Sequence, residues 1–117
     1  MTLRLPDKWV WDFWLVRDGL DYHAFYLQAP RSLGHPELRH LSASLGHAAS
    51  KDLRHWRVLP DALSAGPAGA WDDRAVWTGC VVRERGRWYM FYTGVSVEGD
   101  AVVQRAGLWA LSTVASW

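Results

Sequence analysis

The chain of 117 residues is poor in several features on which common functions depend. It holds one cysteine, Cys80, which excludes an intrachain disulfide. Its 13 basic and 12 acidic residues leave a net charge of +1, too small to attract nucleic acid or an anionic membrane surface. No run approaches the roughly 18 apolar residues of a membrane-spanning helix, and residues 1–9 lack the apolar centre of a signal peptide. These absences predict a cytoplasmic protein with neither nucleic-acid nor membrane partners.

Helical periodicity is also hard to find, whereas aromatic residues are abundant. Nine of the residues are tryptophan, and aromatic side chains make up 14% of the sequence. Short runs rich in Trp, Tyr, Phe and Val alternate with clusters of Gly, Pro, Asp and Ser, a pattern typical of all-β proteins. The predicted strands are 9–16, 22–28, 44–49, 55–59, 76–82, 87–94 and 105–111, with a hairpin turn at residues 83–87.

The sequence also resembles itself. YHAFYLQA at 22–29 is similar to WYMFYTGV at 88–95, which matches Phe25 with Phe91 and Tyr26 with Tyr92 at an offset of 66 residues. GHAASKDLRHW at 46–56 has a weaker counterpart in GLWALSTVASW at 107–117, and an apolar strand, VWDFWLV or AVWTGCVV, precedes each aromatic one. Repeats of about 60 residues built from consecutive antiparallel strands predict four-stranded β-propeller blades, here at about 8–60 and 71–117. Two sandwiched hairpins are the alternative.

Most polar side chains in the sequence have a structural interpretation. Ser50, Asp52 and His55 lie in one turn, whereas a catalytic triad needs a base that reaches the nucleophile and a third group that orients the base. Cys80 lies in an apolar strand and is expected to be buried. No metal site or other cofactor is predicted, because the histidines lack cysteine partners and metal-binding spacing. The histidines that lack such partners and spacing include His35, His40, His47 and His55.

One carboxylate stands out. Residues 8–15 read KWVWDFWL, so Asp12 is surrounded by three tryptophans and a phenylalanine. A buried carboxylate costs several kcal/mol unless it is paired or hydrogen-bonded. Asp12 therefore either bonds backbone amides at a strand end or works in an aromatic-lined site. Carbohydrate sites use such aromatic residues, because flat aromatic rings suit the apolar faces of sugars.

The ordered motifs resemble a known family. Along the chain come Trp-x-Trp-Asp, YHAFYLQAP, LGHAASKDLRHWRVLPDAL, WDDRAVWTGCVV and GRWYMFYTG. This set closely resembles the N-terminal part of glycoside hydrolase family 32, the invertase, levanase and inulinase group. That family shares a five-bladed β-propeller with families 43, 62 and 68. The resemblance implies an all-β chain that covers about the first two four-stranded blades, and a glycosidase that acts on β-fructosides such as sucrose or fructans.

The resemblance also implies roles for individual residues. Asp12 matches the family's nucleophile, which forms a fructosyl-enzyme intermediate, although the family's neighbouring Asn and Pro-Asn-Gly are absent. Trp77-Thr78-Gly79 is similar to the family's Phe-Ser-Gly segment. The family's strand-end glutamine is displaced by one place onto Gln28, and a one-residue shift turns a strand side chain to the other face. The implied sugar contacts are Trp11, Trp14, Gln28, Trp77 and Thr78.

Two further carboxyl groups of the family have no match in this sequence. The family's third carboxylate lies in Arg-Asp-Pro and its acid lies in Glu-Cys, and neither segment occurs here. Glycoside hydrolysis requires two carboxyl groups, one of which stays protonated as the acid. The 117 residues alone are therefore expected to be inactive. Asp72 and Asp73 could stand in, but an acidic pair before a strand is expected to form a solvated loop.

Two other functions stay open at this point. One is an inverting arabinofuranosidase or xylosidase of the family 43 type, in which the first-blade aspartate acts as a base toward water. The other is a non-catalytic carbohydrate-binding protein that retains only the aromatic surface. Two blades would also leave open sheet edges, which predicts self-association.

Overall fold

Seven strands form two antiparallel sheets in a computed structural model that describes residues 2–114 and Trp117. The first sheet contains, in chain order, β1 (Lys8–Asp18), β2 (Asp21–Pro30), β3 (Ser44–Ser50) and β4 (Arg57–Leu63). The second contains β5 (Ala75–Glu84), β6 (Arg87–Glu98) and β7 (Ala101–Leu111). The segment between β2 and β3 carries two short 3₁₀ helices, Arg31–Leu33 and Pro36–Ser42.

The observed elements confirm the all-β prediction. Each of the seven predicted strands is present, and most extend a few residues beyond the predicted ends. The turn predicted at residues 83–87 joins β5 to β6, with Arg85 and Gly86 at φ values of 50° and 76°. Such left-handed turn residues match the twist of two-stranded hairpins. Within the described residues the second sheet has three strands, not the four expected of a blade, and the end of the predicted second copy falls partly on residues outside that description.

The internal repeat corresponds to one packing arrangement that occurs in both sheets. Tyr26 of β2 pairs with Gly46 of β3, and Tyr92 of β6 pairs with Gly107 of β7. A Cβ atom at Gly46 would overlap the Tyr26 ring, and one at Gly107 would lie 2.6 Å from Cζ of Tyr92. In each sheet the tyrosine ring therefore occupies the space that a side chain on the glycine would need.

The main core lies where the two sheets pack against each other. Phe25 and Leu45 come from the first sheet and meet Val76 and Met90 of the second, and all four are fully buried. Tyr26 is also buried, at 1% exposure. Between the sheets, the backbone N–H of Val76 donates to the carbonyl of Ala43 at 3.1 Å. The edge of β5 is therefore tied to the segment before β3.

Two side chains differ from their predicted environments. Cys80 is exposed, because an irregularity in β5 shifts the alternation and pairs it with Phe91, which is 43% exposed. Asp72 is buried instead of solvated and accepts a hydrogen bond of 3.2 Å from the Tyr92 hydroxyl. Burial and the neighbouring Asp72 carboxylate raise the pKa of Tyr92 to about 12. Asp73 accepts from the backbone N–H of Gly69 at 2.9 Å, so both aspartates stabilise this loop.

Candidate active site

Asp12 occupies a β-bulge in β1. Trp11 pairs with Leu27 and Phe13 with Tyr26, which leaves Asp12 as an extra residue without a partner in the ladder. Its φ of 39° is unusual for a residue other than glycine. Such strained positions cluster at functional sites, and bulges re-aim side chains. Because of the extra residue, Trp11 and Trp14 pack on the same core-facing side of β1, whereas Phe13 is 71% exposed.

The second sheet has a bulge at the equivalent position. The register of β5 with β6 shifts between Trp77 and Cys80, and Thr78 stands 66 residues after Asp12, the offset of the sequence repeat. The Thr78 Oγ1 hydroxyl donates a hydrogen bond of 3.0 Å to Oδ2 of Asp12. The two copies of the repeat therefore meet at their bulges. Comparing VWD at 10–12 with VWT at 76–78 gives the same offset, so the sequence did contain a signal for this pair.

A cleft of about 340 Å³ opens at this meeting point. Its lining residues are Trp11, Asp12, Leu27, His40, Trp77 and Thr78. The Asp12 side chain is exposed and therefore available to a ligand, not buried as its aromatic neighbours in sequence suggested. Among the described residues, Asp12 is the only carboxylate that lines the cleft. Apolar walls with a few convergent polar groups are what a small polar ligand such as a sugar requires.

One wall of the cleft comes from the segment between β2 and β3. The Trp77 indole Nε1–H donates to the backbone carbonyl of His40 at 2.6 Å, and the His40 ring packs edge-on against Trp11 with centroids 6.1 Å apart. The Arg39 guanidinium lies 5.2 Å from the Trp11 ring centroid. Since the Trp77 N–H is already bonded, the ring surface of Trp77 is what it offers to a ligand. No local feature of the sequence indicates that His40 joins Asp12.

Comparison with known proteins identifies the family of the chain. The model of the glycosyl hydrolases family 32 N-terminal domain matches residues 14–114. The chain belongs to this family. The matched region begins two residues after Asp12, so the position of that carboxylate is established by the structure and not by the match.

Relatives of this family 32 chain come from plants and bacteria. Beta-fructofuranosidase 1 of Zea mays is 39% identical over 84 residues, which are 71% of this chain and 12% of that protein. Sucrose-6-phosphate hydrolase of Zymomonas mobilis is 35% identical over 74 residues, which are 63% of this chain and 13% of that protein. The chain thus spans about one eighth of the length of these curated relatives.

A solved structure supports the fold of the family 32 chain. A glycoside hydrolase superposes with a TM-score of 0.70 at 18% identity, over 99% of this chain and 36% of the other. The two sheets accordingly belong to the propeller architecture that the sequence resemblance implied. The predicted family and fold class are confirmed, while the roles of individual site residues stay predictions.

Two of the predicted sugar contacts of the family 32 chain lie outside the cleft. Trp14 stacks on Phe25 with centroids 6.3 Å apart and packs into the core. Gln28 is 2% exposed, and its side-chain amide donates to Oδ1 of Asp61 at 2.8 Å. Leu27, one residue earlier, faces the cleft instead, as the alternation of a strand requires. The structure therefore brings Trp11, Trp77 and Thr78 to Asp12, and leaves Trp14 and Gln28 apart.

The turn that contains Ser50, Asp52 and His55 is separate from the cleft. Oδ1 of Asp52 accepts from the backbone N–H groups of Arg54 and His55 at 2.9 and 2.8 Å, and Oδ2 lies 2.7 Å from His55 Nδ1. These bonds, chiefly those with His55, hold the pKa of Asp52 well below its usual range. The Ser50 hydroxyl donates to Asp52, not to His55. The group thus stabilises a turn and has no nucleophile–base pair.

Proposed function

We propose that this chain supplies the nucleophile and part of the sugar pocket of a retaining β-fructosidase acting on sucrose or fructans. The observation that carries the proposal is the exposed Asp12 carboxylate, set on a strained bulge in a cleft that Trp11 and Trp77 also line. Relatives named as a beta-fructofuranosidase and a sucrose-6-phosphate hydrolase favour a fructoside as the substrate. The proposed partner is accordingly a small carbohydrate.

The proposed chemistry starts with Asp12. Its carboxylate attacks the anomeric carbon of the fructosyl unit, and the bond to the leaving oxygen breaks as an acid protonates that oxygen. Water then attacks the same carbon and releases Asp12. The Thr78 hydroxyl holds one carboxylate oxygen, which fixes the direction of the attacking group before the substrate arrives.

A second carboxyl group is needed for a sugar leaving group. Asp72 is bonded to the Tyr92 hydroxyl of β6 and Asp73 to the backbone of its own loop, and within the described part of the chain no carboxylate besides Asp12 reaches the cleft. We infer that these 117 residues alone do not hydrolyse sucrose, and that the acid is contributed from outside the described residues. A longer polypeptide that carries the acid should lose fructose release when Asp12→Asn is introduced.

A relative with transfer activity favours retention over inversion. The 6(G)-fructosyltransferase of Asparagus officinalis is 38% identical to this chain over 79 residues. Transfer of a fructosyl unit to a second sugar is readily explained by a covalent intermediate, which an inverting enzyme does not form. The retaining scheme is therefore preferred to an inverting arabinofuranosidase or xylosidase of the family 43 type.

The proposal can be tested on the chain itself with β-fructosyl fluoride. Fluoride leaves without a proton, so attack by Asp12 forms the carboxylate–sugar bond, breaks the carbon–fluorine bond and needs no acid. We expect intact-protein mass spectrometry after acid quenching to show one added fructosyl unit, and peptide mapping to place it on Asp12. Asp12→Asn should abolish the adduct, whereas Asp100→Asn, in the exposed turn before β7, should not.

The other two functions give different results in the same experiment. An inverting enzyme releases fluoride to water without an adduct. A non-catalytic carbohydrate-binding protein binds fructose in a calorimetric titration, yet neither forms an adduct nor releases fluoride. An adduct that persists in Asp12→Asn would contradict the nucleophile assignment.

A further inference from the structure

His40 brings a polar ring into the cleft from an element that is separate in sequence from the two bulges. Its side chain is 45% exposed, although the ring packs against Trp11. Oε2 of Glu37 lies 3.9 Å from Nε2 of His40, beyond hydrogen-bond distance. The ring is thus placed by its neighbours while a face of it stays open to a ligand.

The backbone at His40 and three residues beyond it is fixed to the second sheet. The His40 carbonyl accepts from the Trp77 indole, and the Ala43 carbonyl accepts from Val76 at 3.1 Å. The Trp11 ring supports the imidazole from the first sheet. A ring that packs against one sheet while its backbone is bonded to the other loses little conformational freedom when a ligand binds, which is the condition for an effective specificity contact.

We propose that His40 is a specificity-determining residue of this cleft and hydrogen-bonds a hydroxyl group of the bound furanoside. A neutral imidazole presents one donor and one acceptor nitrogen, which matches a hydroxyl that both donates and accepts. Asp12 and Thr78 supply the other polar side chains of the cleft, and in this proposal His40 contacts a hydroxyl group and not the attacked carbon. This inference rests on the proposed function, since it takes a furanoside as the ligand.

The experiment is a titration of the chain with D-fructose, followed by NMR through the indole N–H signals of Trp11 and Trp77. His40→Ala should weaken the affinity for fructose roughly tenfold, the loss expected for one side-chain hydrogen bond of about 1.4 kcal/mol. His40→Gln keeps a donor and an acceptor and should restore most of the affinity. His55→Ala changes an exposed histidine outside the cleft and should bind as the unchanged chain does.

The Trp77 indole signal also shows whether each His40 variant is folded correctly. Because the Trp77 indole donates to the backbone carbonyl of His40, its signal in the absence of fructose should stay in place when only the side chain changes. In the unchanged chain, fructose should also move the ring C–H signals of His40 and leave those of His55 unmoved. This measurement needs no variant.

Each result separates the two proposals. If fructose moves the indole signals and His40→Ala binds equally well, the role of His40 is refuted while the proposed function stands. If His40→Gln is as weak as His40→Ala, packing against Trp11 and not hydrogen bonding explains the loss, which also overturns the inference. If fructose at saturating solubility moves none of these signals in the unchanged chain, the proposed function fails and the role of His40 fails with it.

Discussion

At the scale of single residues, the first sheet contains a buried histidine pair. Nδ1 of His23 lies 2.7 Å from Nε2 of His47, and His47 stacks on Phe25 with centroids 4.4 Å apart. Burial and the neighbouring His23 lower the pKa of His47 to about 4, against an opposing backbone contact of Trp117. Burial also lowers the pKa of His23, although Asp21 and Asp18 oppose it. The folded chain therefore favours both rings in the neutral form.

The lowered pKa values of this pair predict that the free energy of unfolding decreases in mild acid. Since the unfolded chain takes up protons near pH 6.5 and the folded chain does so only near pH 4, the contribution of His47 is complete above pH 6.5. It is lost as the pH falls toward about 4, by up to about 3 kcal/mol in the free energy of unfolding. Urea denaturation across this range measures the loss. Asp52 does not contribute to it, because its lowered pKa acts only below its ordinary value of 3.8.

A histidine outside the pair provides the control for this pH effect. His55→Gln makes the same substitution at an exposed ring, so it shows how much of any change in the slope of stability against pH between 6.5 and 4 comes from replacing a histidine as such. His47→Gln should flatten that slope, even if the variant is less stable at neutral pH. A flat profile in the unchanged chain would show that the buried rings do not resist protonation.

Thr78 is predicted to act on the reaction through Asp12. Thr78→Val keeps the shape of the side chain but removes the hydroxyl that bonds Oδ2 of Asp12. We expect the rate of adduct formation with β-fructosyl fluoride to fall roughly tenfold, as the loss of one positioning hydrogen bond implies. Thr78→Ser should restore the rate. Equal rates for the valine variant and the unchanged chain would show that the bulge alone aims the carboxylate.

At the scale of secondary-structure elements, the fold depends on paired strands with a tyrosine lying over a glycine. Gly46→Ala should lower the free energy of unfolding by about 1–3 kcal/mol, because the new methyl group would overlap the Tyr26 ring. Thermal or urea unfolding measures this. In a chain that already carries Tyr26→Leu, Gly46→Ala should cost less stability than it does in the original chain, since the two side chains compete for one space. Strict additivity of the two changes would contradict the packing explanation.

At the scale of the whole molecule, both sheets present apolar residues to solvent. Val10, Phe13 and Leu15 lie on one face of the first sheet beside a cavity of about 380 Å³, and they are 39%, 71% and 46% exposed. Exposed contiguous apolar patches commonly mark interaction surfaces or aggregation sites. We propose that two copies of this chain associate through the face around Phe13.

Sedimentation or light scattering tests this association. Phe13→Asp should shift the chain toward the monomer, because a charge would have to be buried in the contact. Leu20→Asp is the matched control, since Leu20 is 77% exposed but lies in the turn between β1 and β2, away from that face. If the chain without substitutions stays monomeric at all concentrations, the association is disproved.

Much of the fold could be predicted because its signals are local. Aromatic and β-branched runs bounded by turn residues marked all seven strands, and the matched pairs Phe25–Phe91 and Tyr26–Tyr92 revealed two copies of one unit. Which side chains of a strand face the core was harder to predict. Cys80 was expected inside and lies outside, because a single inserted residue reverses the alternation beyond it.

The sequence by itself determined the strands, the repeat, the family and the presence of Asp12, since each depends on residue types at short spacing. The tertiary structure decided which of the candidate side chains share the cleft with Asp12. Asp12 meets Thr78 because two bulges 66 residues apart face each other, and His40 joins them because hydrogen bonds tie its segment to β5. Trp14 and Gln28 are excluded by strand geometry and packing. Contacts between distant segments depend on how the sheets pack, which no short stretch of sequence encodes.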